Sequence, residues 1–285
     1  MNNTKGYGGG GVCVKGGIFN MHGGTIAANQ ADSYTAGKGY GGGVSVVSGG
    51  RFTMNGGTIG GTIGGTSAIR DCNQAKGNGG GVFVKSGTFN MNGGAISENR
   101  ANQGGGVYAW GGTFNMNGNA SITSNTVNGV YVHNSATFTV SGSPTVTGNK
   151  NASDAASNVF LIGKAYITIG KAGLTGGKGS IGVTKKEGVD NGVIAKNVST
   201  DCSGKFFSDD TDYEVKYDET DEANHKLVLT RISGQHDHSW SYQKDGDATI
   251  KATCTNTTGD CDVKGGCSVT IKASTTTHDG AEKPA

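Results

Sequence analysis

Apolar and polar positions recur in one fixed order along the first half of the chain. A Gly-Gly-Gly-Val-x-Val run leads to Phe-x-Met and then to Gly-Gly-x-Ile, and this order occupies 41–59, 79–96 and, with small departures, 104–122. An earlier copy occupies 9–26 and a less regular fifth copy 129–146. Recurrence of the whole order indicates a repeated structural unit rather than a chance motif.

Each copy contains three short runs in which apolar and polar residues alternate. In the third copy these runs are 82–84, 89–91 and 95–97. A period of two is typical of β-strands, and no helical period competes with it. The last three equivalent phenylalanines are 25 and 24 residues apart, so the bare repeat is about 24 residues, with extra loops in the first two copies.

Three short strands per repeat, separated by glycine-rich corners, predict one coil of a parallel β-helix. Consecutive coils would stack about 4.8 Å apart, which places equivalent side chains in ladders through the core. The predicted core ladders are Phe19, Phe52, Phe89, Phe114 and Phe138; Met21, Met54, Met91 and Met116 with Val140; Ile26, Ile59, Ile96 and Ile122 with Val146; and Val12, Val44, Val82, Val107 and Val130. The fold class is therefore all-β.

Asparagines follow the isoleucine position by three residues in four of the coils. Asparagine tolerates the left-handed backbone of a tight corner, and stacked amides can bond to one another from coil to coil. The Gly-Gly-Gly runs are read as corners too, since no strand-to-helix phosphate loop follows them. The predicted corner residues are Asn29, Asn99, Asn125 and Asn149.

The pattern divides the chain into four parts. Regular coils occupy 1–149, and 275–285 form a linker or the start of a further module. Irregular coils and a C-terminal β cap occupy 150–232, with strands expected at 159–162, 166–169, 180–184 and 193–195. A small separate β module occupies 233–274, with strands expected at 239–243, 248–254 and 267–273. The cap is expected because an open row of strand edges invites aggregation.

The amino-acid composition and net charge limit the kinds of molecule that this chain is expected to bind. The chain has 54 Gly and only 2 Pro in 285 residues and a net charge of +2, with no basic stripe, so a nucleic-acid partner is not expected. No run of about 20 apolar residues occurs, so no membrane insertion is expected in this fragment. The first residues lack a signal-peptide pattern and the last resemble the opening of another module. We therefore expect an interior piece of a longer exported polypeptide.

About 40 residues of the small module are too few for a stable core, so a covalent or metal staple is expected there. The first choice is one disulfide among Cys254, Cys261 and Cys267. A zinc site from those cysteines with His236 and His238 stays open, although Cys-x6-Cys-x5-Cys lacks the close pair typical of zinc ligands. The pairing of the other cysteines, Cys13, Cys72 and Cys202, is not fixed by spacing. No cofactor is expected.

Strand alternation also predicts which residues point out of the tube. If the valines of Val-x-Val point inward, the residues between and after them point outward. In coils three to five these form an exposed face that could stack on sugar rings or anchor a protein partner. The alternative is that the rings stack on each other and shield the sheet. The predicted outward residues are Phe83, Tyr108, Trp110, Tyr131 and His133.

Several strings resemble the right-handed β-helix repeats of large bacterial cell-surface proteins, which are common in gut Firmicutes. They are 104–109, 87–94 and 96–99. The region 173–184 with 207–215 is similar to the part that closes such helices, and 236–254 resembles the small modules that follow. The resemblance implies export, a multidomain stalk, adhesion to glycan or to a host or cell-surface protein, and an extracellular or cell-surface location. It transfers no catalytic residues.

An enzymatic function is the remaining alternative, because pectate lyases and polygalacturonases also use parallel β-helices. Their chemistry needs clustered carboxylates, or calcium-binding carboxylates beside a base, on one outward face. The acids of the regular coils, Asp32, Asp71 and Glu98, do not share a ladder. The acidic run 208–212 lacks a calcium-loop spacing and is read as a turn. The sequence therefore predicts a non-catalytic structural and adhesive protein, with a polysaccharide lyase or hydrolase, or a glycan-binding module, as the alternative.

Overall fold

The computed structural model describes residues 2–3, 8–32, 39–61, 72–185, 192–220, 225–232, 240–244, 249–254 and 268–272. The chain divides into two compact units, Met1–Thr230 and Arg231–Ala285. The described residues of each unit lie mainly in β-strands and their connections, and each unit is described by itself.

The strands are short and follow one another in chain order. They are β1 (Asn2–Asn3), β2 (Val12–Lys15), β3 (Ile18–Met21), β4 (Thr25–Ile26), β5 (Gln30–Ala31), β6 (Val44–Val47), β7 (Arg51–Met54), β8 (Thr58–Gly60), β9 (Gln74–Ala75), β10 (Val82–Lys85), β11 (Thr88–Met91), β12 (Ala95–Ser97), β13 (Val107–Ala109), β14 (Thr113–Met116), β15 (Ser121–Thr123), β16 (Val130–Val132), β17 (Thr137–Gly142), β18 (Thr145–Thr147), β19 (Val159–Leu161), β20 (Ile167–Leu174), β21 (Ile181–Lys185), β22 (Val193–Lys196), β23 (Phe206–Ser208), β24 (Tyr213–Asp218), β25 (Lys226–Arg231), β26 (Trp240–Lys244), β27 (Thr249–Cys254) and β28 (Ser268–Lys272). A short 3₁₀ helix, Ser203–Lys205, precedes β23.

The first unit is a parallel β-helix with three faces. Face 1 stacks β2, β6, β10, β13, β16 and β19; face 2 stacks β3, β7, β11, β14, β17, β20 and β22; face 3 stacks β4, β8, β12, β15 and β18. All of these neighbours pair in parallel, each strand with its equivalent in the next coil. The predicted coil of three strands is confirmed.

The predicted ladders fill the interior. Phe52, Phe89 and Phe114 are fully buried, and successive ring centroids along the phenylalanine ladder lie 5.3, 4.9, 5.0 and 4.9 Å apart. The methionine and isoleucine ladders keep the same register, Met91 with Met116 and Ile96 with Ile122. Each ring thus covers its neighbours, because one side chain arrives at the same core position in every coil.

The glycine runs lie where one coil turns beneath the next. A Cβ added to Gly105 would lie only 2.0 Å from the carbonyl oxygen of Thr126 in the following coil. Close approach of two backbones, rather than phosphate binding, therefore explains why this corner carries glycine.

The asparagine ladder runs along the corner that follows face 3. Each side-chain amide donates to the Oδ1 of the next asparagine, at distances of 2.9–3.1 Å from Asn29 to Asn158. The predicted Asn29, Asn99, Asn125 and Asn149 are joined by Asn73 and Asn158, which sequence reasoning missed. The ladder ends on Asp209, whose carboxylate accepts from the amide and backbone N–H of Asn158.

The strand pairing of the β-helix changes at its C-terminal end, where the last coil is covered. Strand β21 pairs with β18 through Ile181 and with β19 from Val183 onward, so one strand continues two faces. Face 2 closes differently, because β25 pairs with β22 in the antiparallel sense. Leu227 of β25 and Phe206 of β23 are buried against the last coil. The predicted cap is therefore present, and the four strands predicted in this region are all observed.

The second unit contains an antiparallel sheet in the order β26, β27, β28. Trp240 pairs with Cys254, and Thr253 pairs with Ser268. The three predicted strands are confirmed. The disulfide and zinc predictions stay untested, since His236, His238, Cys261 and Cys267 lie outside the described residues and only the backbone of Cys254 is described.

Candidate functional site

The outward positions of face 1 carry a continuous column of aromatic rings. The register of β10, β13, β16 and β19 brings Phe83, Tyr108, Tyr131 and Phe160 into line. Tyr40 extends the column by stacking on Phe83. Successive centroids are 4.7, 5.9, 4.8 and 5.3 Å apart. The column forms a cluster separate from the main core, as the outward direction of its side chains requires.

The prediction that this outward face is exposed is wrong for three of its five residues. Phe83 is completely buried, and Tyr108 and Tyr131 are each 5% exposed. The physical reason is the coil spacing, because rings about 5 Å apart cover each other's faces. Only Trp110 and His133 among the predicted residues are half-buried. The shielding alternative thus describes the centre of the column.

Trp110 and His133 stand beside the column, two positions further along their strands. The ammonium group of Lys85 lies 4.5 Å from the centre of the Trp110 ring. The His133 ring meets Trp110 edge-on at 6.3 Å, and its Nδ1 lies 3.0 Å from the hydroxyl of Ser135. Cation–π and edge contacts therefore already engage the tryptophan.

Burial also raises the pKa of two tyrosines of the column further above the neutral range. Loss of solvent raises the pKa of Tyr108 to about 12, with smaller contributions from Tyr131 and Tyr40. Burial raises the pKa of Tyr131 in the same direction. Both phenols can therefore donate or accept hydrogen bonds at neutral pH, but neither supplies a charge or a base.

A cleft opens where the column reaches the corner between coils five and six. We call it the loop cleft; its volume is about 430 Å³. One wall is the outer side of face 1, and the other is the loop 150–157. The residues around it are Asn102, Gln103, Val127, Asn128, Tyr131, Asn151, Ala152, Ser153, Phe160 and Ile162.

The loop 150–157 holds its shape by its own bonds. The Asn151 side chain accepts from the backbone N–H of Ser153 and of Ala155, and Lys150 pairs with Asp154 at 2.8 Å. Across the cleft, Val127 has a φ of 65°, which is uncommon for a β-branched residue. Sequence reasoning missed this cleft, because the alternation pattern carries no information on how a loop folds back.

A second cleft, of about 450 Å³, lies at the other end of face 1 and has a basic rim. Lys15 and Lys85 flank Val47 there, with Ser48 and Ser86 at the adjoining corner. We call it the lysine cleft. The two clefts differ in charge, and they therefore suit different ligands.

The acidic groups discussed above make separate contacts in the described part of the chain. Asp32 forms an ion pair with Lys76 at 3.5 Å, and Asp71 lies outside the described residues. Asp209 is taken up by the end of the asparagine ladder and by the hydroxyl of Thr184. Asp210 accepts from the backbone N–H of Asp212, as in a turn. Within the ranges described, no group of three or more His, Cys, Asp and Glu side chains is arranged to hold a metal ion.

Two cysteine thiols of the first unit differ in environment. Cys13 is exposed, whereas Cys202 is buried. Burial and the neighbouring Asp201 raise the pKa of Cys202 to about 11, which keeps its thiol protonated and unreactive at neutral pH.

Within the described ranges, no helix is long and apolar enough to cross a membrane.

The sequence matches no family model, and no curated protein or solved structure is significantly similar to it. The assignment of the fold as a parallel β-helix therefore rests on the strand register, the core ladders and the asparagine ladder described above.

Proposed function

We propose that the chain is a non-catalytic structural and adhesive part of an exported, multidomain cell-surface protein. In this proposal the β-helix is a rigid spacer, and its outer faces are where it meets other molecules. The observation that carries the proposal is the unbroken stacking of equivalent residues from coil to coil, with the core ladders on one side of each strand and the outward column on the other.

Stacked coils suit a spacer for a physical reason. Each coil contacts only its neighbours, so added coils lengthen the structure without changing its cross-section. The ladders resist bending, since tilting one coil would separate stacked rings such as Phe89 and Phe114, now 5.0 Å apart. A rigid rod holds flanking modules at a fixed distance, which is what a surface stalk requires.

The adhesive part of the proposal is supported by the two clefts of face 1. The loop cleft places half-buried aromatic and polar groups on the outside of the rod, and the lysine cleft places two lysines there. Glycans and surface proteins of other cells are the partners that such a face would meet. A ligand-free spacer is the simpler form of the same proposal.

The location is tested by labelling intact and lysed cells of the encoding organism with an antibody against this chain. Labelling of intact cells supports a surface protein, and labelling confined to lysed cells overturns that part of the proposal. Incubation of the purified chain with polygalacturonate and other plant and bacterial polysaccharides tests the enzymatic alternative. Release of shorter or unsaturated products would show a lyase or hydrolase instead.

A further inference from the structure

We propose that the loop cleft binds an uncharged sugar. The proposal rests on the adhesive part of the proposed function and adds a ligand class and a location. All of the residues around the cleft belong to the continuous described stretch 72–185, so both walls are defined.

The size of the cleft fits one or two sugar rings. Its volume of about 430 Å³ lies within the range of small-molecule sites, roughly 300–1,000 Å³. A ligand of this size is a small molecule rather than a folded protein domain, so the volume suits a compact ligand.

The walls offer the two kinds of group that a sugar needs. Phe160 and Ile162 are half-buried and provide an apolar wall against which the C–H face of a pyranose can pack. Gln103 also lines the cleft, and its side-chain amide makes no hydrogen bond to the described residues. The Asn102 amide nitrogen donates to the carbonyl oxygen of Lys76, which leaves its Oδ1 to accept from a sugar hydroxyl.

The charge of the cleft selects an uncharged ligand. None of its lining residues is an acid, a lysine, an arginine or a histidine. A carboxylate or ammonium group placed there would lose solvent without gaining an opposite charge. An anionic sugar would instead be drawn to the lysine cleft, where Lys15 and Lys85 are present.

The cleft is also formed in advance of binding. Bonds within the loop 150–157 hold one wall, and the stacked column holds the other. Asn128 donates to the hydroxyl of Ser157 at 2.6 Å, which joins the two walls at their base. A ligand therefore does not have to order a mobile loop, and weak sugar contacts suffice for measurable affinity.

Saturation-transfer NMR on the intact chain tests the proposal. The probes are the methyl glycosides of glucose, galactose, mannose and N-acetylglucosamine, with methyl glucuronoside as the charged probe. We expect transfer to the ring protons of at least one neutral glycoside. The variants Phe160→Leu and Gln103→Ala should each raise the Kd for that glycoside by about fivefold or more. This is the effect of losing one stacking contact or one net hydrogen bond.

Matched controls keep the test specific. Tyr166→Leu removes an exposed ring away from the cleft, and Gln74→Ala removes a half-buried glutamine from another corner. Both should leave the Kd unchanged. Gln103→Ala removes no bond of the folded chain, so its melting temperature should match that of the parent and its result does not depend on refolding.

Three results would overturn the sugar site. They are no transfer to any neutral glycoside, equal binding by all four variants, and binding of the glucuronoside alone. None of these results changes the coil stacking on which the spacer depends, so the loss of this proposal and the loss of the proposed function are distinguishable.

Discussion

Replacing Asn125 by alanine removes a central rung of the buried asparagine ladder. The side chain is 1% exposed. Its Nδ2 lies 2.9–3.0 Å from three acceptors, the carbonyl oxygens of Ile96 and Thr123 and Oδ1 of Asn149, which share its two N–H groups. Its Oδ1 accepts from both the backbone N–H and the side-chain amide of Asn99. The substitution therefore breaks contacts with three coils at once.

The expected loss is about 3–5 kcal/mol of the free energy of unfolding. Each lost hydrogen bond contributes about 0.5–1.5 kcal/mol net, and a buried donor left without an acceptor costs about 1–3 kcal/mol. The backbone N–H of Asn99 is such a donor, since it has no other acceptor among the described residues. For a unit of this size the loss corresponds to a melting temperature lower by roughly 10 °C.

An exposed ladder of the same chemistry provides the control. Asn92 donates to Oδ1 of Asn55 at 2.9 Å and accepts from Asn117 at 3.1 Å, but it lies at the surface. Water replaces these bonds in Asn92→Ala, so we expect a loss of at most about 1 kcal/mol. Thermal unfolding followed by circular dichroism compares the two variants. Equal melting temperatures for Asn125→Ala and Asn92→Ala would refute the argument that burial makes the corner ladder stabilising.

Further substitutions test the core, the outward column and the end of the ladder. Phe114→Ala should lower the free energy of unfolding by about 3–5 kcal/mol, because Phe114 is fully buried. Phe19 is a half-buried ring of the first coil, so Phe19→Ala should lower the free energy of unfolding by less. Denaturant titration measures both losses. The pKa of Tyr108 is about 12 in the folded chain and 10.0 for an unperturbed tyrosine. The contribution of its neutral phenol to folding stability is therefore fully present below pH 10 and is lost as the pH rises towards 12. A rise in pKa from 10.0 to about 12 corresponds to at most about 3 kcal/mol, so Tyr108→Phe should remove an alkaline loss of stability of up to that size; an unchanged pH dependence of stability would contradict it. Asp209→Asn places an amide opposite the donors of Asn158 and should cost about 1–3 kcal/mol, seen as a lower melting temperature; a melting temperature equal to that of the parent would contradict the account of the ladder's end.

The coil was predictable because its signal is repeated. Each copy carries the same alternation, so the register of Phe89 with Phe114 follows from aligning the copies. Asn73 escaped prediction because extra residues separate it from Ile59, and counting three residues onward reaches Thr62 instead. Asp209 was missed for a related reason, since it contacts Asn158 from 51 residues away in sequence, just after strand β23, where the repeat is no longer visible.

The outward column was predictable only in part. The alternation of apolar and polar residues gives the direction of a side chain, and it correctly placed Phe83 and Tyr108 outside the main core. The alternation does not give the exposed fraction of a side chain, because that depends on the neighbouring rings and on Tyr40, which stacks on Phe83. The loop cleft depends on how 150–157 folds back through Asn151, and no periodic pattern records that conformation.

The most direct test of the account is an experimental density map of this chain, by crystallography or cryo-electron microscopy. The account predicts the rings of Phe52, Phe89 and Phe114 in one interior column, with successive centroids 4.9 and 5.0 Å apart. A map in which these rings lie in separate parts of the molecule, or point to solvent, would contradict the β-helix and every proposal built upon it.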